Sequence, residues 1–152
     1  MNIEITGVQA AVDRLEPREL LSRVARGMDK GNQLTLSYIQ RNKLSQKGAT
    51  TLAVRSHRVR GSARVSMARI VGTGVESTMG SNVKYAAVHE YGCGPYTIRA
   101  RNGKAMRWGN ASGIHFARTV RHPGFPARRM FGSGIEECAD IYNRKIGEEI
   151  TR

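Results

Sequence analysis

Residues 96–108 read Tyr-Thr-Ile-Arg-Ala-Arg-Asn-Gly-Lys-Ala-Met-Arg-Trp. Asn102-Gly103 sits at the centre of this stretch. Asn-Gly tolerates positive φ at both central positions of a type I′ turn, so a two-residue hairpin is predicted, with Tyr96–Arg101 running into Lys104–Trp108. Gly109–Gly113 reads as a second turn and Ile114–Val120 as a further strand. The break at His122-Pro123-Gly124-Phe125-Pro126 ends the strand region.

Working upstream, Val65, Met67, Arg69 and Val71 alternate with their neighbours, which predicts a strand from Ala63. Gly72–Gly74 is a turn and Val75–Gly80 its partner strand. Residues 46–62 read as an exposed basic loop carrying Arg55, Arg58 and Arg60. For Tyr85–Tyr91, periodicity leaves helix and strand both open. Val8, Ala11, Val12 and Leu15 fit a short amphipathic helix. Pro17 suits a first helical position, and Leu20, Leu21, Val24, Met28, Leu34 and Tyr38 carry a helical stripe from about Arg18 to Lys43. Gly27 and Gly31 interrupt it, marking a bend or a close helix contact. Downstream, Ile135, Cys138, Tyr142 and Ile146 share one face of a last helix, placed at 126–151. The sum is one α+β domain over residues 1–152: helical at 1–45, a small mainly antiparallel sheet at 63–121, and helices at both ends packing it.

The chain has 152 residues, 39% of them apolar, with a mean hydropathy of -0.44. No apolar run reaches the roughly 20 residues a bilayer span needs, so no membrane association is expected. The first residues lack the basic-then-apolar order of a secretory signal, so production in a cytoplasm is expected. Two cysteines, Cys93 and Cys138, make no disulfide framework. The charge is +13, from 25 Lys and Arg against 12 Asp and Glu. Residues 30–129 hold 18 of those bases and just two acids, Glu76 and Glu90. Such a basic centre calls for an acidic counterpart, either nucleic acid or an acidic surface on another protein.

Catalytic chemistry finds little support. His89-Glu90 begins like a zinc-protease helix, but Cys93 stands where the second His belongs. Gly92-Cys93-Gly94 is too short to cradle a phosphate, and two central acids cannot furnish a two-metal nuclease. No catalytic, metal-ligating or cofactor-binding residue is therefore assigned. The candidate interaction surface is Arg99, Arg101, Lys104, Arg107 and Trp108, which together with Tyr96 interleave bases and aromatics around the hairpin tip, extended by Arg118, Arg121, Arg128 and Arg129. Alternation also allows Ile98 and Met106 to point into a core, with the arginines solvated.

Tyr85-Ala86-Ala87-Val88-His89-Glu90-Tyr91-Gly92 resembles the "YA-x-x-x-E-x-G" signature of the tail-component family of siphophage neck and tail-completion proteins. Pro126-Ala127-Arg128-Arg129-Met130-Phe131 is similar to the "P-A-R-x-F" turn that opens the family's last helix, and Arg55–Ser62 is similar to an upstream "tG-x-L-x-x-S" stretch. Tyr85, Glu90, Gly92 and Pro126 carry the signature. Gly92 is expected to permit a tight turn, Pro126 to fix the entry of the last helix, and Tyr85, Val88 and Tyr91 to anchor their segment on the core. The resemblance implies a non-enzymatic virion subunit without cofactor. Such a subunit forms a homo-oligomeric ring at the head–tail junction and meets head-closure and tail-terminator or tail-tube proteins, with possible contact to packaged DNA. The acidic chain ends and the basic middle are expected to supply the two faces of a head-to-tail ring. The alternative is a DNA-binding module that uses the basic hairpin.

Overall fold

The computed structural model describes residues 17–46, 48, 51–52 and 57–152. The expected helix at Val8–Leu15, and the first part of the Arg55–Ser62 stretch, lie outside the described residues. The fold is α+β, and the strand pairs among the described residues are antiparallel.

Helix α1 (Pro17–Tyr38) passes into one π-helical turn, Ile39–Lys43. A short helix α2 (Arg58–Ser62) follows, within the segment expected to be an exposed loop. Val59 inverts that expectation: only 5% of it is exposed, and it enters the core with Ile39, Leu44, Ala63, Ala86, Met130 and Phe131. Strands β1 (Ala63–Val65), β2 (Arg69–Val71), β3 (Gly74–Glu76) and β4 (Met79–Ser81) form one hairpin closed at Gly72-Thr73. The predicted strand Ala63–Val71 is broken at 66–68, where Asp29 of α1 accepts the Ala68 N–H at 2.7 Å. Ser66 and Thr78 bridge the break from the other side at 2.8 Å.

Helix α3 (Lys84–Tyr91) resolves the ambiguous segment as helix. Strands β5 (Tyr96–Arg99), β6 (Met106–Asn110), β7 (Gly113–Ala117) and β8 (Thr119–His122) form a second hairpin. The last helical region starts at Met130 rather than 126 and divides at Cys138 into α4 (Met130–Glu137) and α5 (Ala139–Ile150).

The body is held by α1 crossing α5. A Cβ on Gly27 would lie 2.6 Å from Ile146 Cα, and one on Gly31 would lie 2.6 Å from the Tyr142 ring. The two glycines therefore mark a close helix contact, not a bend. Asn32, 2% exposed, is the polar node of this seam. Its Nδ2 donates to Ser77 Oγ of the first hairpin and its Oδ1 accepts from Tyr142 OH of α5, both at 2.9 Å. Ion pairs flank the seam. Glu149, 5% exposed, accepts from Lys30 at 2.5 Å and from Arg26 and Arg152 at 3.3 Å. Glu137 accepts from the buried Lys43 and from Tyr38 OH, both at 2.6 Å. Those hydrogen bonds, led by Lys30 and Lys43 respectively, hold both carboxyls below their ordinary pKa. A buried lysine without such a partner would be strongly destabilising, and so would a buried carboxylate.

Helix propensity alone makes Gly27→Ala stabilising by up to ~1 kcal/mol. Backbone contact at 2.6 Å reverses the sign, because Ile146 Cα cannot move without shifting α5. Gly27→Ala is expected to destabilise by about 1–3 kcal/mol, as overpacking does. Urea denaturation checks this, and an unchanged or raised midpoint contradicts the seam.

Candidate functional site

The second hairpin is the site the fold presents. Its pairing differs from the sequence expectation. β5 pairs with β8, Tyr96 opposite His122 and Arg99 opposite Thr119, while β6 pairs with β7, Met106 opposite Ala117 and Asn110 opposite Gly113. Chain reversal therefore falls at Ala111-Ser112, within the turn predicted at Gly109–Gly113. Asn102-Gly103 closes no hairpin. It lies in a bulge, residues 100–105, set against Arg118 alone, with Ala100 N–H donating to Arg118 O at 2.9 Å. Gly103 keeps the positive φ, +68°, that made the dipeptide look like a hairpin tip. A bulge increases twist and lets the ribbon bend.

The ribbon, 96–122, stands away from the body. Its strands pair with each other and pack broadly against no other described element. About ten residue pairs at 3.3–3.4 Å each make it about 35 Å long. Alternation sorts its side chains. In the root half Tyr96, Ile98, Val120 and His122 share one face, and Thr97, Arg99, Thr119 and Arg121 the other. In the tip half Met106, Trp108, His115 and Ala117 share a face, opposite Arg107, Ile114 and Phe116. Ile98 is 37% exposed, so it enters no core, while Met106 is half-buried. Ile114 and Phe116 are 57% and 66% exposed. Trp108 stacks on His115 with centroids 5.6 Å apart. Arg99, Arg101, Lys104, Arg107, Arg118 and Arg121 are all exposed, and no Asp or Glu occurs between 96 and 122.

The root is built differently. Tyr96 stacks on His122 at 4.8 Å, His122 meets Phe125 edge-on at 6.4 Å, Phe125 stacks on His89 at 5.1 Å, and His89 meets Tyr85 edge-on at 6.4 Å. Rings at these separations attract beyond their buried area. The backbone closes on itself here, Cys93 and Phe125 exchanging two N–H···O bonds of 3.0 Å. Gly92, at φ +76°, makes this possible, since a Cβ there would lie 2.7 Å from Ala127 N. Glu90 Oε2 accepts the Phe131 N–H and Oε1 the Gly132 N–H, each at 2.9 Å. Its carboxylate thus caps α4, where free N–H groups and the helix dipole favour a negative charge.

Several expected roles change. Tyr85, Val88 and Tyr91 are 40%, 40% and 81% exposed, so Ala86 and Glu90, not these three, anchor α3. Pro126 is exposed and precedes the helix by four residues. Entry to α4 is instead set by Arg129 in the left-handed region (φ 48°) and by the Glu90 cap. Arg128 turns inward, donating to Thr51 O at 2.5 Å and Gly48 O at 3.3 Å, and Arg129 pairs with Glu136 at 2.5 Å. Arg128 is thus tied to the body, whereas the Arg129 side chain stays 61% exposed beside Glu136. Sequence reasoning missed the Glu90 cap, although the motif spacing that brought Glu90 and Pro126 together was its signal. Among the described residues, no three His, Cys, Asp or Glu side chains converge as metal ligands do.

No family model, characterised protein or solved structure matches this chain.

Burial, and then the nearby Arg128, lower the pKa of His89, whose Nδ1 is shielded from solvent without a partner among the described residues. The unfolded chain therefore takes up a proton at higher pH than the fold does. Stability at the root is full above the ordinary His pKa of about 6.5 and is lost as pH falls from there through the lowered value. Thermal unfolding followed from pH 7.5 to 5.5 should show a falling midpoint, with His89→Phe flattening that slope. A slope that persists in the variant assigns it elsewhere. At the same joint, Glu90→Ala should cost about 1–2 kcal/mol through the lost cap, with Glu90→Gln recovering part of it; equal stability of all three forms contradicts the capping role.

Proposed function

We propose that the chain is a non-catalytic structural subunit of a tailed-phage virion, a ring-forming neck or tail-completion protein linking the head-closure ring to the tail tube. The observation that carries this reading is the ribbon arm, which packs broadly against no other element among the described residues. A two-stranded hairpin is at best marginally stable in water, and this one exposes Ile114, Phe116 and six cations along its length. An element of that kind is completed by a neighbour. The two stretches that resemble the tail-component signatures also meet physically. Glu90 of "YA-x-x-x-E-x-G" receives the Phe131 N–H of "P-A-R-x-F", so the degenerate motifs share one structural reason for their order and spacing.

Two expectations need revision. Arg128 is engaged by carbonyl oxygens of its own chain and Arg129 by Glu136, so this reading rests the arm's contacts on Arg118 and Arg121 with the bases nearer the tip. At the C-terminal end Glu136, Glu137, Glu148 and Glu149 all have cationic partners within the chain, so this reading does not rely on that end for ring closure through charge; the N-terminal acids Glu4, Asp13 and Glu16 lie outside the described residues. Ring contacts on this reading use apolar body surface such as Tyr91 and Ile135, which are exposed around one groove.

A second reading, a DNA-binding module, is favoured by the arm's uniform charge and by the fact that the major groove admits a two-stranded ribbon. Particle assembly separates the two. Arg118→Glu with Arg121→Glu should block joining of heads to tails in a complementation assay while circular dichroism of the purified variant stays native. Normal particle yield from that double variant contradicts a role for the arm in joining. A monomer in native mass spectrometry, alone and with its neighbours present, together with steeply salt-dependent duplex binding, favours the DNA module.

A further inference from the structure

We propose that the arm docks on a different protein with a carboxylate-rich, apolar-floored surface, and not on another copy of this chain. This rests on the assembly-subunit reading for the claim that the arm is an interaction element; the nature of the partner follows from charge accounting within the chain. Nine Asp and Glu fall within the described residues. Seven are already committed. Glu19, Glu136, Glu137, Glu148 and Glu149 face Lys or Arg, Asp29 accepts the Ala68 N–H, and Glu90 caps α4. Glu76 and Asp140 remain, one in a strand of the first hairpin and the other in the first turn of α5. Even with Glu4, Asp13 and Glu16, which lie outside the described residues, a second copy offers at most five uncommitted acidic side chains to an arm carrying six cations, on a chain whose net charge is +13. Two arms laid side by side would set bases against bases, which is how an open strand edge resists pairing with its own kind.

Charge alone would fit nucleic acid equally well. The tip argues for protein. Ile114 and Phe116 project from one face at 57% and 66% exposure, with Arg107 beside them, and Trp108 carries the opposite face. Branched aliphatic and aromatic side chains gain most from an apolar pocket, and arginine around them suits a carboxylate rim because its planar fork holds both oxygens. Affinity from the apolar centre and registration from the charged rim is the division of labour seen at protein interfaces.

Trp108 is the chain's single tryptophan, so its fluorescence reports from the arm itself. Three probes are titrated into the full-length chain at physiological salt: an alternating Glu-Leu peptide, polyglutamate of equal charge, and a short DNA duplex. The Glu-Leu peptide should bind best, with polyglutamate weaker by about tenfold or more, as loss of two buried side chains implies. Ile114→Ser with Phe116→Ser should bring the Glu-Leu affinity down to the polyglutamate level. Sedimentation of a chain in which residues 97–121 are replaced by Asn-Gly should give the same number of subunits as the wild type; Tyr96 and His122 are paired neighbours, so a short turn can join them. Equal binding of the two peptides, no binding of either, or tighter binding of the duplex overturns the proposal. So does loss of self-association in the shortened chain, which would make the arm's partner another copy. Failure of the ring reading looks different: a chain that stays monomeric beside its neighbours can still prefer the Glu-Leu peptide, and a ring former can ignore it.

Discussion

The carboxylate of Glu90 holds the point where the helical body and the arm meet. It accepts the first free N–H groups of α4, which fixes the end of α3 against the start of α4. Two residues later Gly92 lets the chain pass so close to 125–127 that no side chain fits, and the Cys93–Phe125 pair ties the outgoing strand to the returning one. The arm is thus clamped at both feet by backbone hydrogen bonds and a line of stacked rings, while its distal two-thirds touches no other element broadly. A rigid root on a freely projecting ribbon aims the arm from the body without burying it. The same joint fixes α4, whose Gly134 lies against Ile39 and whose Met130 and Phe131 fill the core, so packing of the body and direction of the arm share one support.

How much of this was legible in the sequence depended on how local the deciding physics is. The helical run of α1 follows from helical spacing and stands in the structure, and of the two readings of Gly27 and Gly31, a bend or a close helix contact, the structure has the contact. Asn102-Gly103 misled because its turn preference is real but local. Gly103 does take positive φ, yet strand partners are chosen by the longer register that sets Tyr96 against His122, and the dipeptide is left in a bulge. The spacing of Tyr85, Val88 and Tyr91 looked like a core stripe. In an eight-residue helix, one buried Ala86 and the Glu90 cap suffice, and the larger side chains face outward. Arg128 could not be told from its neighbours, since its partners are carbonyl oxygens at Gly48 and Thr51, some eighty residues away.

The basic excess acquires a structural meaning once its counter-charges are located. Among the described residues Glu149 and Glu137 join α5 and α4 to α1 and its π-helical turn, Glu90 caps α4, and Glu19, Glu136 and Glu148 pair with nearby bases. The surplus cations are left outside, concentrated on the ribbon where no acid dilutes them. Exposed pairs of this kind add little affinity each, so the arm's charge is better suited to choosing and orienting a partner than to holding it. Retention falls to the apolar tip.

The central claim is that the arm is incomplete until a neighbour covers it, and amide hydrogen exchange tests this residue by residue. In the dilute, isolated chain, amides of β6 and β7 should exchange far faster than those of α1 and α5, while Phe131 and Gly132 at the root stay protected. On assembly, or on addition of the acidic partner, the β6 and β7 amides should become protected. Arm amides as slow as those of the body in the isolated chain would contradict the account, because the ribbon would then need no partner at all.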